Sequence, residues 1–216
     1  MPPTKPEVRA QPQQSRSQET FAGILEAASD LFAQNGYEQT TTHQIAGAAG
    51  VSVGALYRYF DSKQAILREL YDREISGLRQ KAFEEFSIAD LVSKDLPQLV
   101  RKTLALAFRI YGERPGLRRV LVEQSRKIPE LVELRSSMEA QVHGAVRQIL
   151  AAAPGMTLDD VEVAAYLITV FIESVMDDFV LYRGREGVSF PDERVIEAAS
   201  EFVIRCVMGR VDSTAT

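Results

Sequence analysis

The stretch Thr41–Lys63, TTHQIAGAAGVSVGALYRYFDSK, leaves a chain little conformational freedom. Thr41 and Gln44 stand three residues apart, the spacing at which two side chains reciprocally satisfy the free N–H groups of a helix start. Ile45, Ala46 and Ala49 then fall on one face of a second helix. Gly50 supplies a turn, and Val51 plugs that turn into the core. Ser52 caps a third helix, predicted to run to about Phe60. Asp61-Ser62 breaks it and caps a fourth, with Ile66, Leu67, Leu70 and Tyr71 as its inner stripe. Two short helices joined by a tight turn make a helix-turn-helix, which sets its second helix into a DNA major groove.

The flanks continue in helical register. Phe21, Ile24, Leu25, Ala28, Leu31 and Phe32 mark a first helix over about 18–35, stopped by Asn35-Gly36. The fourth helix extends to about Phe86, and residues 87–94 read as a connection. Further helices are predicted at about 95–112, 117–127, 130–152, 158–183 and 192–208, punctuated by Gly112-Glu113-Arg114-Pro115-Gly116, Pro129, Pro154-Gly155 and Pro191. No segment alternates as a strand does. The fold class is therefore all-α, a small helix-turn-helix domain followed by a larger helical one. The predicted division is a disordered arm at 1–16, a helix-turn-helix domain at 17–62, a second helical domain at 63–210 and a tail at 211–216. The arm carries Lys5, Arg9 and Arg16. It reads first as a solvated tail and alternatively as a strap on DNA phosphates.

The last two helices are apolar on more than one side. A helix that is hydrophobic on two sides must be buried on two sides. One side packs on its own domain. A second copy of the chain would cover the other in a four-helix interface, for which Phe171, Val175, Phe179, Val195, Ala199, Phe202 and Cys206 are the candidates. A wholly internal helix is the competing explanation.

Composition excludes several classes. No apolar run approaches the roughly 18 residues of a membrane span. The Pro- and Gln-rich amino terminus has no apolar core and does not read as a secretory signal. One cysteine, Cys206, precludes an internal disulfide framework and fits a reducing cytoplasm. The net charge of −5 argues against a nonspecific nucleic-acid binder. Within residues 41–63, however, only Asp61 opposes Arg58 and Lys63, so a neutral-to-basic reading face is retained.

The segment TTHQIAGAAGVSVGALYRYFDSKQAILREL closely resembles the DNA-binding region of tetracycline-repressor-like (TetR) transcriptional regulators. The resemblance covers about residues 18–70. It rests on the doubled threonine, Ile45-Ala46, Ala49-Gly50-Val51-Ser52, Gly54, Leu56-Tyr57, Tyr59-Phe60 and Ser62-Lys63. The remaining two thirds agree in length and helical pattern. The physical roles fit. Ser52, Val53, Gly54 and Ala55 are small enough to let the backbone approach base edges. Tyr57 and Tyr59 can offer hydroxyls to phosphates, and Arg58 can reach a phosphate or a guanine edge. The resemblance implies that Thr42 and His43 touch backbone or flanking bases. Lys63, a cation at a helix start, makes sense if a phosphate docks there; otherwise it is a solvated lysine. Leu56 and Phe60 belong to the core. The resemblance further implies a homodimer on a palindromic double-stranded operator, released when a small molecule binds the carboxy-terminal domain. Phe108, Tyr111, Gln124, His143, Tyr166 and Phe171 are the candidate ligand contacts, each with a packing or surface role as the alternative.

Other chemistries fare worse. Gly50-Val51-Ser52-Val53-Gly54 spells the serine-hydrolase string, but that motif needs a preceding strand, and Gln44–Ala49 is helical. His43 and His143 have no Cys/His cluster around them, so no metal and no cofactor is expected. The remaining alternative is a helical ligand- or partner-binding module without DNA control, against which the intact third helix stands.

Overall fold

The structure, a computed structural model, describes residues 15–86, 95–152, 160–182 and 190–208. They form helices α1 (Ser15–Asn35), α2 (Thr42–Ala48), α3 (Val53–Tyr57), α4 (Lys63–Glu85), α5 (Leu96–Glu113), α6 (Pro115–Gln124), α7 (Pro129–Ala152), α8 (Val161–Tyr182) and α9 (Asp192–Met208). There is no strand among them. The expected arm at 1–16 lies outside the described residues except for its last two, which open α1. The connection 87–94 and the tail 211–216 lie outside them too.

The predicted punctuation explains most boundaries. Gly36 ends α1 at φ 79°, a backbone region that strains other side chains, and its N–H donates to the Phe32 carbonyl. Buried Thr40 ties down that end by donating to the Leu31 and Gly36 carbonyls. The Thr41–Gln44 capping box is present in full. Asp160 caps α8, its Oδ1 accepting from the N–H groups of Glu162 and Val163.

Two of the boundaries that differ from expectation have a local cause. The third helix stops at Tyr57 rather than Phe60, because Arg58 and Tyr59 donate to Ala55 and Leu56, tightening the chain into three-residue bonds. Helix α6 begins two residues early, since Pro115 fits a first turn where no N–H is needed.

The chain divides into two compact units. The first comprises residues up to Arg79 together with Arg114–Leu134. Its core joins Ile24, Leu25 and Phe32 of α1 to Ile45, Leu56, Phe60, Ile66 and Leu67, and to Leu117 and Leu131. Phe21 stacks on Phe60 with centroids 5.0 Å apart. Helix α6 belongs here because it lies hard against α1: a Cβ added at Gly116 would sit 2.8 Å from the Ala33 Cβ. Buried Arg118 meets Glu74 at 2.6 Å, and Gln64 donates to Glu130 at 2.7 Å, pinning α6 and the start of α7 to α4.

The second unit comprises Gln80–Glu113 and the residues from Arg135 onward. Its core gathers Leu96, Leu150, Ala164, Ala165, Ile168, Val203 and Val207. Phe108 packs on Phe179 with centroids 4.7 Å apart. The acidic residues of α8 have a partner within this unit: Arg135 pairs with Glu139 and stands 3.7 Å from Asp177.

Candidate nucleic-acid interface

Everything about α3 follows from its two ends. Gly50 turns at φ 67°, and the Val51 N–H closes the turn on the Ala46 carbonyl at 3.0 Å. Ser52 then accepts from the Ala55 N–H at 3.1 Å, which starts the helix and leaves the seryl proton free to donate. Leu56 and Phe60 are fully buried, as expected, and anchor the helix from beneath. With the inner face so fixed, His43, Ser52, Gly54 and Arg58 are exposed, while Val53 and Ala55 are half-buried.

Beyond Ser52, Val53, Gly54 and Ala55, the other six of the ten candidate residues fall into two groups. In the first, Tyr57 is 40% exposed and its hydroxyl lies 3.1 Å from the Thr42 hydroxyl. That bond draws the start of α2 and the end of α3 to one place, with exposed His43 beside Thr42 and exposed Arg58 beside Tyr57. In the second group the polar atoms are engaged inside the unit. The Tyr59 hydroxyl lies 3.0 Å from the Ser17 hydroxyl, and its ring meets Phe21 edge-on at 6.1 Å. The Lys63 ammonium donates to the Tyr37 carbonyl at 2.6 Å and the Glu38 carbonyl at 3.4 Å, and sits 4.2 Å above the Tyr37 ring. Loss of solvent lowers the Lys63 pKa, with the Glu38 charge opposing the shift. The same burial, with Glu38 adding to it, pushes the Tyr37 phenol up to about 12.

Known proteins fit this geometry. Residues 24–70 match the family described as bacterial regulatory proteins, tetR family, and residues 95–195 match the tetracyclin repressor-like carboxy-terminal domain. The nucleoid occlusion factor SlmA of Klebsiella pneumoniae is 30% identical over 158 residues, spanning 69% of this chain and 77% of that protein. The chain belongs to the tetR family of bacterial regulatory proteins. It is a DNA-binding transcription regulator and not an enzyme. A fatty acid metabolism regulator protein of Bacillus subtilis is 30% identical over 122 residues, 52% of this chain and 60% of that one. The fold recurs in NalD, the secondary repressor of the MexAB-OprM multidrug efflux pump in Pseudomonas aeruginosa. The TM-score is 0.67 at 22% identity, covering 90% of this chain and 98% of that one.

The second unit of this tetR-family regulator carries two further features. One is an apolar face. On α8, Tyr166 and Leu167 are each 59% exposed, with Val163 and Val170 alongside, and on α9 Phe202 is 52% exposed. Of the seven interface candidates, Phe202 and Cys206 are exposed, and Phe171 is half-buried with its ring 4.5 Å from that of Phe202. Val175 and Val195 are half-buried, Ala199 is buried, and Phe179 turns inward onto Phe108. The seven interface candidates omit Val163, Leu167 and Val170 of this face, and Tyr166 was assigned to a pocket. The spacing 163, 166, 167, 170 was the available signal.

The other feature is an apolar cavity, partly open to solvent, between α5, α7, α8 and α9. Leu96, Leu104, Leu150, Ile168, Ile172 and Val207 are among its walls. None of the six expected ligand contacts is among them. Phe108 and Phe171 pack on other aromatic rings, and Tyr166 is on the exposed face. Half-buried Tyr111 is elsewhere on α5. His143 faces Glu162 at 3.0 Å, and Gln124 is buried in the first unit. The reason is chemical. Those six are polar or aromatic, and this cavity is lined by aliphatic side chains and the single hydroxyl of Thr103. No described helix is long and apolar enough to cross a membrane, and no His/Cys/Asp/Glu group among the described residues is arranged to hold a metal.

Proposed function

We propose that the chain acts in the cytoplasm as a homodimeric repressor whose two copies of the 52–59 segment grip an imperfect palindrome. A single α3 holds few base contacts. Two copies related by a dyad read half-sites roughly 34–36 Å apart, or a multiple of a DNA turn. The observation that carries this reading is the Tyr57–Thr42 contact at 3.1 Å, which sets two hydroxyls beside exposed His43 and Arg58. In this reading Arg58 reads a base edge or phosphate. Thr42, Tyr57 and the free proton of Ser52 bind phosphates, and Val53, Gly54 and Ala55 give the backbone its close approach. Tyr59 and Lys63 hold the reading helix in place, with one Lys63 proton left for a phosphate.

In the same reading DNA binding falls to 17–62 and ligand binding and dimerisation to the remainder, 63–210, of which residues 63–79 and 114–134 pack with the first unit. Dimerisation covers the Tyr166, Leu167 and Phe202 face, whose large apolar side chains are more than half exposed in the single chain. A small molecule that binds the second unit in one of two states shifts the spacing of the two α3 helices and releases DNA. Helix α4, which starts at Lys63 and carries residues of both units, is the element on which that shift acts. NalD, a repressor by its description, supports the sign of regulation.

The test is a gel shift with genomic fragments, followed by footprinting. A two-fold symmetric footprint lost in Arg58→Ala is expected. Protein that stays monomeric and retards no fragment would overturn the reading.

A further inference from the structure

We propose that the second unit's cavity takes an unbranched aliphatic chain, with the ligand's polar head left outside at the mouth. The inference deepens the reading of this unit as the effector-binding one.

Protein interiors pack as densely as organic crystals, so open space inside a core cluster is unusual. This cavity opens within one: Leu96, Leu150, Ile168, Val203 and Val207 both build the core and wall the space. Its lining chemistry excludes most ligands. No charged group and no aromatic ring is among the lining residues. One hydroxyl is, that of Thr103, and its proton is already donated to the Leu99 carbonyl at 2.8 Å. A ligand with donors or acceptors at that depth would leave them unsatisfied, which is costly. Sugars, nucleotides, amino acids and hydroxylated polycycles are thereby rejected. Shape narrows the choice further. The lining residues on α5 run from Leu96 to Leu104, about 12 Å at the helical rise. A slender methylene chain matches both the length and the uniform aliphatic wall. A broad planar ring system meets no ring to stack on.

The experiment is calorimetric titration of the full chain, without DNA, using alkanoates of increasing length, dodecanol and ethidium, each below its aggregation threshold. Affinity should climb by about fourfold per added methylene until the chain outgrows the space. Dodecanol should bind within about threefold of dodecanoate, because the head lies outside. Val100→Phe, which projects a ring into the cavity, should weaken dodecanoate by about fifteenfold, the effect of excluding roughly two methylenes. Thr103→Phe, at an exposed wall position, serves if Val100→Phe does not fold. Affinity independent of chain length, ethidium binding in preference to alkanoates, or wild-type affinity in both ring variants would each overturn the proposal. Operator binding is read separately. Chain binding that leaves the operator complex intact refutes the inducer role alone, and ligand-free protein that binds the chain but no operator refutes the repressor reading alone.

Discussion

The first unit is closed and the second is unfinished. In the first, aliphatic and aromatic side chains together fill the core, Phe60 is fully buried beneath α3, and the outer face is small and polar. In the second, aliphatic helices surround an open space and leave Tyr166, Leu167 and Phe202 uncovered. The difference follows from what each must do. A reading helix has to hold its side chains within a fraction of an ångström of a fixed DNA geometry, so a dense core without slack supports it. A unit completed by a ligand or a second copy must leave those contacts unmade within the single chain.

The largest expected effect comes from cutting both cores. Phe60→Ala removes a side chain enclosed on all sides and should cost about 3–5 kcal/mol, melting the first unit before the second. Leu150→Ala lies against existing open space, has fewer partner atoms to lose, and should fall near the lower bound of about 2 kcal/mol. Hydrogen exchange resolved by helix separates the two units. Equal costs at the two sites would break the comparison.

The next effect tests closeness rather than enclosure. Gly116→Ala drives a Cβ to 2.8 Å from that of Ala33, where neither partner can rotate away. The helices must part, and the first unit should lose roughly 1–3 kcal/mol by urea denaturation, although alanine favours a helix. A neutral or stabilising result would mean that α6 is loosely held.

The two units also differed in how far the sequence revealed them. The capping box, the Gly50 turn and the Ser52 cap are local, and each was legible because a few adjacent residues satisfy one another. The division between units was less so. That α6 packs on α1 depends on Gly116 meeting Ala33 across 83 residues, which no local period encodes. The cavity was illegible for another reason. Leu96, Val100 and Leu104 have the spacing of any buried stripe, and only three-dimensional packing says whether a stripe is fully covered. Lys63 shows a third limit. Its helix-start position suggests a phosphate, yet the carbonyls that hold it belong to Tyr37 and Glu38, in the turn that follows α1.

Lys63 supplies a smaller effect within the first unit. Lys63→Met leaves the two carbonyls without their ammonium and should cost about 1–2 kcal/mol in stability. Its operator affinity should fall with it. The slope of affinity against salt then separates two roles: a positioning lysine leaves the slope unchanged, whereas a phosphate contact lowers it by about one. Tyr57→Phe, which changes no formal charge, should weaken binding with the slope intact.

The smallest effect lies in the second unit's charges. Arg135 faces Glu139, Asp177 and Glu173, so carboxylates outnumber it locally. Burial raises the Glu173 pKa; Glu139 adds to the shift, Arg135 opposes it, and Asp177 adds further. A carboxyl that binds its proton more tightly when folded than when unfolded stabilises the fold in acid. That stabilisation is lost as pH rises through the raised value. At neutral pH the Glu173 charge therefore works against the second unit. Glu173→Gln should raise the melting temperature by roughly 2 °C at neutral pH. The gain should shrink as pH falls toward the ordinary glutamate value of 4.5, where the wild-type side chain is protonated anyway. In the first unit, by contrast, Arg118→Met strands the Glu74 carboxylate and should destabilise across the same neutral range. Opposite signs for the two substitutions are what a closed unit and an unfinished one require. A destabilising Glu173→Gln would show instead that its carboxylate is a needed partner of Arg135.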